Sequence, residues 1–360
     1  MKIALVNNLY YPYNRGGAET VVKNMVTDLR SRGHELFLIT TRPKGETINQ
    51  INNQGANKVE LDSLKIYQIP SYYFNLNSWS LTQRFFWHIS HFFSLSQTSA
   101  LKKILISEKP DLVITHNLMG LGWRLPRILK KLNIRHEHYL HDIQLLYPSG
   151  LMMLGEEKII DSFSAKVYQF FTRFFLGSPI KVISPSLWLL EQHRQRGFFK
   201  ESETQIKNLI TTVTAELKKR VTKVSNFLFV GQIEQHKGII FLLNTFQEAS
   251  QINSQLKLTV VGDGGLLAEA KKIANANKQI NFTGKLDGAQ IQKFMKESDY
   301  LIIPSLCYEN APMTIYEAHS AGLPVLAASI GGIPEIVNKN DKLFKAGNTH
   351  DLKKHILDIN

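Results

Sequence analysis

Short apolar runs alternate with stretches of helical periodicity along this chain, and the alternation begins twice. Residues 2–8 open with an apolar run that reads as a first strand. Ala18, Val21, Val22, Met25, Val26 and Leu29 then recur on one face of an amphipathic helix, which Gly33 closes. Further buried-type strands are expected at 35–40, 65–69, 111–116, 134–141 and 181–184. The rhythm restarts near residue 225, with strands expected at 226–231, 256–262, 279–283, 299–304 and 324–328. Strands alternating with helices imply parallel sheets covered on both faces, an α/β fold of two Rossmann-like, doubly wound domains. The polar stretches 200–205 and 218–225 flank the junction, giving domains 1–205 and 206–360. Such sheets bind ligands beyond the carboxyl ends of their strands, so two of them facing each other would form a cleft for two substrates.

Composition narrows the function classes. A single cysteine, Cys307, rules out an internal disulfide and fits a reducing compartment. The first apolar run is too short for a signal peptide, and no run approaches the ~18 apolar residues of a membrane span, so a cytoplasmic protein is expected. The net charge of +13 is uneven: residues 1–200 carry 25 Lys and Arg against 14 Asp and Glu, and the remainder is close to neutral. A basic N-terminal half suggests an anionic partner such as a membrane surface. Nucleic acid is disfavoured, because the basic residues are scattered and no recognised module is present. Two aromatic stretches stand in the same half. One, 72–93, contains Trp79, Phe85, Phe86, Trp87, Phe92 and Phe93; the other has Phe163, Val167, Phe170, Phe171 and Phe174 at helical spacing beside Lys166 and Arg173. Each reads either as a core-facing helix or as an apolar surface that docks on a bilayer.

The residues suited to chemistry concentrate in the second half. After the strand at 226–231 come Gly231, Gln232 and then His236-Lys237-Gly238 opening an apolar helix. Such a turn offers backbone N–H groups to a phosphate, and Lys237 would add a positive charge. A surface lysine in an ordinary loop is the bland alternative. Gly262-Asp263-Gly264-Gly265 ends the next strand; its glycines suit either close ligand approach or a tight turn. The third element runs from Pro304-Ser305 through Glu309-Asn310-Ala311-Pro312-Met313-Thr314 to Glu317. Pro312 suits the start of a helix. The N–H groups of Met313 and Thr314 would then welcome a diphosphate, and the carboxylates of Glu309 and Glu317 would accept from sugar and ribose hydroxyls.

The ordered set from Gly231 to Glu335 resembles the family-4 retaining glycosyltransferases of the GT-B fold (glycosyl transferases group 1). Its lysine-glycine helix start, G-D-G turn, P-S pair, two spaced glutamates, Gly322-Leu323-Pro324 and Gly331-Gly332 match that signature. In the first half, Pro12, Gly16-Gly17-Ala18-Glu19, Gly33-His34-Glu35, His141-Asp142 and Ser184-Pro185-Ser186 also match. The resemblance implies that Lys237 contacts the donor diphosphate, Glu317 the ribose and Glu309 the donor sugar. It implies that Gly16 and Gly17 form a lip near the transferred sugar, that His141 faces that sugar, and that His116 is structural. Gln232, Gly262, Gly264, Asn310, Met313 and Thr314 complete the implied donor site. Gln232 stands where many relatives carry an arginine. The chain ends at Asn360, where relatives continue into a helix that crosses back to the first domain.

The function implied is transfer of a sugar from a UDP- or GDP-linked donor to a saccharide or lipid-linked acceptor, with the departing phosphate helping to deprotonate the acceptor. No metal or cofactor is expected, as no dense His, Cys or Asp cluster is present. A dehydrogenase would need G-x-G-x-x-G after the first strand, where Asn7-Asn8-Leu9 stands instead. A non-catalytic nucleotide-sugar binder and a sugar-nucleotide epimerase on the same architecture are the remaining alternatives.

Overall fold

The computed structural model describes all residues except 14–15, 47–56, 62–63, 208–223, 276 and 360, and the backbone alone of 57–61 and 77. It divides into two compact units. The first comprises Met1–Gly150, Ile160–Ser184 and Leu189–Lys207. The second comprises Leu151–Ile159, Pro185–Trp188 and the described residues after Lys207. Two short segments of the N-terminal half thus belong to the second unit.

The first unit holds β1 (Lys2–Val6), α1 (Gly17–Ser31), β2 (Glu35–Pro43), β3 (Asn57–Leu61), β4 (Leu64–Ser71), α2 (Leu81–Phe92) and α3 (Leu95–Glu108). It continues with β5 (Leu112–Thr115), α4 (Leu125–Lys131), β6 (Arg135–Tyr139), α5 (Phe163–Leu176) and β7 (Lys181–Ser184). Helix α6 (Leu187–Arg194), whose first two residues belong to the second unit, and β8 (Glu203–Ile206) end it. Its sheet has the order β3-β4-β2-β1-β5-β6-β7-β8, parallel except that β3 runs antiparallel to β4. Central strands such as β5 (LVIT) are buried along their whole length, as expected when helices cover both faces. Ile3, Leu5, Val22, Val26, Leu38 and Ile114 interlock in the core between β1, β2, β5 and α1.

The second unit holds β9 (Asn226–Val230), α7 (Ile239–Ile252), β10 (Lys257–Val261), α8 (Leu267–Ala274), β11 (Ile280–Gly284) and α9 (Gly288–Glu297). It ends with β12 (Tyr300–Ile303), α10 (Met313–Ser320), β13 (Val325–Ala328), β14 (Lys342–Phe344) and α11 (Thr349–Asp358). All its strands are parallel, in the order β11-β10-β9-β12-β13-β14. Phe227, Phe246, Leu301, Leu326 and Phe344 are fully buried within it.

Helix starts follow local chemistry. Ser80 and Gln83 form a capping box on α2, Ser162 caps α5, and Asp287 pairs with Gln290 at the start of α9. The polar stretch read as a domain junction supplies β8, which pairs with β7 at the sheet edge. An exposed edge strand takes its stability from backbone pairing, so ETQI carries no apolar pattern to betray it. No helix among the described residues is long and apolar enough to cross a membrane.

Candidate active site

In the second sheet the strand order reverses between β9 and β12. Loops leaving two such neighbours diverge to opposite faces and leave a crevice at their carboxyl ends. β9 leads through Gly231 into a tight turn, Gln235–Lys237, and β12 leads through Pro304 and Ser305 to Glu309. The two loops are packed against each other. Gly238 has φ +73°, and a Cβ there would lie 1.8 Å from the carbonyl oxygen of Pro304. The Leu306 N–H donates to the His236 carbonyl at 2.9 Å. This packing sets Lys237 Nζ 2.9 Å from Glu309 Oε2, while the Ser305 hydroxyl donates to Glu309 Oε1.

The electrostatics of the pair are mutual. Burial alone would raise the Glu309 carboxyl, but the Lys237 charge and the hydrogen bonds from Ser305 and Lys237 outweigh it and hold it below the usual range. Burial works to lower Lys237, and Glu309 more than offsets it. Both groups are therefore charged near neutral pH. Glu317 differs. It is half-buried on α10, has no charged partner among the described residues, and is pushed above the ordinary carboxylate value by burial. The first-turn N–H groups of α10, those of Met313 and Thr314, have no intrahelical acceptor and carry the positive end of the helix dipole. Buried Cys307 is pushed up to about 12, by burial first and by Glu309 second, so its thiol is inert.

The glycines after β10 have a packing explanation. A Cβ on Gly262, at φ +147°, would lie 1.8 Å from the Gly231 carbonyl oxygen, and one on Gly264 would meet the Ile233 backbone at 2.6 Å. The Gly264 and Gly265 N–H groups donate to the Asp263 and Glu234 carboxylates. This turn supports the β9 loop from behind. Gln232 follows Gly231 and is exposed, and Asn310 is half-buried beside Glu309.

The first unit gathers a second polar group at the carboxyl ends of β5 and β6. His116 Nδ1 lies 2.7 Å from His141 Nε2, and the two rings stack at 5.0 Å. Burial lowers both, His141 to about 3, so both imidazoles are neutral and share one proton along this contact. Asp142 accepts from the Gln144 N–H at 2.7 Å and from Asn117 Nδ2 at 3.3 Å. Burial raises its carboxyl to about 6. These residues line a cavity of about 220 Å³, counting the part open to solvent. His116 is the direct partner of His141. Asn7 and Asn8, which replace a glycine fingerprint, bind Asn117 instead: its N–H donates to Asn7 Oδ1, and its carbonyl accepts from the Asn8 N–H. Gly16 caps α1, donating its N–H to Glu19 at 2.8 Å, and Gly16 and Gly17 are both exposed.

Comparison with known proteins decides the family. The pattern described as Glycosyltransferase Family 4 matches residues 15–210, and that described as Glycosyl transferases group 1 matches residues 224–359. The chain belongs to the family-4 glycosyltransferases. Among relatives, an uncharacterized 42.6 kDa protein in the cps region of Klebsiella pneumoniae is 27% identical over 93% of this chain and 87% of its own length. The alpha-monoglucosyldiacylglycerol synthase of Streptococcus pneumoniae is 25% identical over 99% of this chain and 78% of its own. Among solved structures, HepE of Anabaena in complex with UDP and glucose superposes with a TM-score of 0.65 at 17% identity, covering 99% of this chain and 89% of that one. That likeness shows the two-domain α/β architecture of GT-B glycosyltransferases.

Within the transferase, Lys237, Glu309 and Ser305 form one connected group, while His141, Gly16 and Gly17 lie in the other unit. One contact of a residue in the family block escaped the sequence reading. Both oxygens of Glu335 accept backbone N–H bonds at the start of α6, from Leu187 at 2.6 Å and Trp188 at 2.7 Å. The Gly331-Gly332-Ile333-Pro334-Glu335 block was visible as a motif, but its acceptor role lies 147 residues away in sequence.

Proposed function

We propose that this transferase moves a sugar, with retention of anomeric configuration, from a UDP- or GDP-linked donor to a saccharide or lipid-linked acceptor in surface polysaccharide or glycolipid synthesis. The observation that carries the donor assignment is the charged Lys237–Glu309 pair at the β9/β12 reversal, together with solitary Glu317 on the neighbouring α10. Lys237 and the first-turn N–H groups of Met313 and Thr314 supply positive potential where the leaving diphosphate gains charge. Glu317 is a half-buried carboxylate without side-chain donors among the described residues, and ribose hydroxyls satisfy it. Glu309 stays ionised and accepts from hydroxyls of the donor sugar. His141, neutral and oriented by His116, bonds a hydroxyl of the transferred sugar. A UDP-bound neighbour and a relative that builds a glucosyl lipid support the donor and acceptor classes.

The division between the glutamates is testable. Glu317→Ala should weaken binding of free UDP or GDP by about 10- to 100-fold, the scale for hydrogen bonds to a charged acceptor. Glu309→Ala should slow transfer while leaving the affinity for free nucleotide nearly intact, since Lys237 and the first-turn N–H groups of α10 remain. Calorimetry with each nucleotide reads both variants. Equal losses of nucleotide affinity in the two would contradict the assignment.

A further inference from the structure

Helices α2 and α5 leave an apolar face uncovered. On α5, Phe163, Val167, Phe170 and Phe174 recur at i, i+4, i+7 and i+11 and are all exposed, Phe163 to 85%. On α2, Phe85 and Phe86 are 60% and 68% exposed. The helices meet through Phe92 and Phe171, whose centroids are 5.3 Å apart, and Phe93, just past α2, lies 6.2 Å from Phe171. The exposed rings of α5 therefore join that of Phe93, 49% exposed, at the end of α2. Core demand does not explain them, because Trp87, Phe92, Tyr168 and Phe175 on the opposite arcs already fill the interior. An exposed apolar patch of this extent marks an interaction surface.

The charge around the face selects the partner. The Arg127 guanidinium of α4 lies 3.6 Å from the centre of the Phe174 ring. Lys166 is exposed on the same arc of α5, and Lys130 and Lys131 are exposed at the end of α4, which packs on α5. The only carboxylate on α2 to α5 is Glu108, which is buried and held by Lys2 and Lys65. A second copy of the chain would bring the same basic rim against this one and be repelled. We infer that this face docks on an anionic lipid bilayer, its phenylalanines entering the interface and its basic rim lying among the headgroups. The inference stands on these helices alone and not on the donor site.

Co-sedimentation of the full chain with vesicles tests it without any activity assay. Binding to phosphatidylglycerol–phosphatidylcholine vesicles is expected to exceed binding to phosphatidylcholine alone by at least about tenfold, and to fall several-fold from low to high salt. Phe163→Ser with Phe170→Ser should lower the partition coefficient by about tenfold or more without moving the thermal midpoint, since both side chains are exposed. Lys130→Glu with Lys131→Glu should lower it as well and flatten the salt dependence. The inference is overturned if the chain stays in the supernatant with anionic vesicles at low salt. An unchanged partition in the phenylalanine variant also overturns it. So does a lipid-free dimer in analytical ultracentrifugation that the same variant dissociates, which would give the face to a second copy.

Discussion

Lys237→Ala should lower turnover at saturating donor by about 10²- to 10³-fold, the scale for removing one preorganised charge-stabilising donor. The lysine is held in place before any ligand arrives: Gly238 packs on Pro304, and Nζ is fixed 2.9 Å from Glu309. No reorganisation is then needed as the leaving diphosphate gains charge. The same geometry predicts a side effect, because the variant leaves Glu309 nearly buried without its cation, its charge held by the Ser305 hydroxyl and nearby His236. Its carboxyl should then titrate higher than in the parent, so the loss should grow as the pH falls and this acceptor takes up a proton. Comparing Lys237→Ala with Glu309→Gln separates the roles, since the second keeps the cation and removes only the carboxylate charge. Near-parental turnover in Lys237→Ala, with a fold intact by circular dichroism, would remove Lys237 from the chemistry.

Much of this site was legible in the sequence, for identifiable reasons. Buried parallel strands must be apolar throughout, so β1, β5, β9 and β12 stand out, and the loops following them are where ligands bind. Lys237 and Glu309 sit in two such loops. What periodicity could not supply was their contact, because 72 residues separate them and only the strand order makes β9 and β12 neighbours. The His116–His141 contact was hidden for the same reason, β5 and β6 being adjacent in space rather than contiguous in sequence. The glycines of 262–264 were legible as special positions, yet their cause, the backbone of the β9 loop, required coordinates. Helix α5 shows another limit. Aromatic side chains occupy both of its arcs, Tyr168 and Phe175 on one, Phe163 and Phe170 on the other. Spacing alone could not say which arc faces water.

Acid should unfold the first unit before the second. His91, His116, His136, His138 and His193 of the first unit are buried. Burial lowers His91, His136 and His141 to about 3 and His193 to about 4, and carries His116 and His138 well below the ordinary value. The unfolded chain takes up these protons near pH 6.5, whereas the folded unit refuses them until near pH 3–4. Below pH 6.5 the unfolded state therefore binds more protons, and stability falls with pH by up to about 1.4 kcal/mol per unit for each such histidine. Asp142 acts in the opposite sense. Burial raises it to about 6, so protonation between about pH 6 and 4 favours the folded unit, but one carboxyl stands against several imidazoles. Among the described residues of the second unit no histidine is buried; half-buried His236 is lowered, by burial first. Trp79, Trp87 and Trp123 report on the first unit, and Trp188→Phe removes the tryptophan of the second. In that variant the urea midpoint read by tryptophan emission should drop markedly from pH 7 to pH 5, and helicity should persist beyond the emission change. Equal urea midpoints at the two pH values would mean that these histidines do not stay neutral in the folded unit.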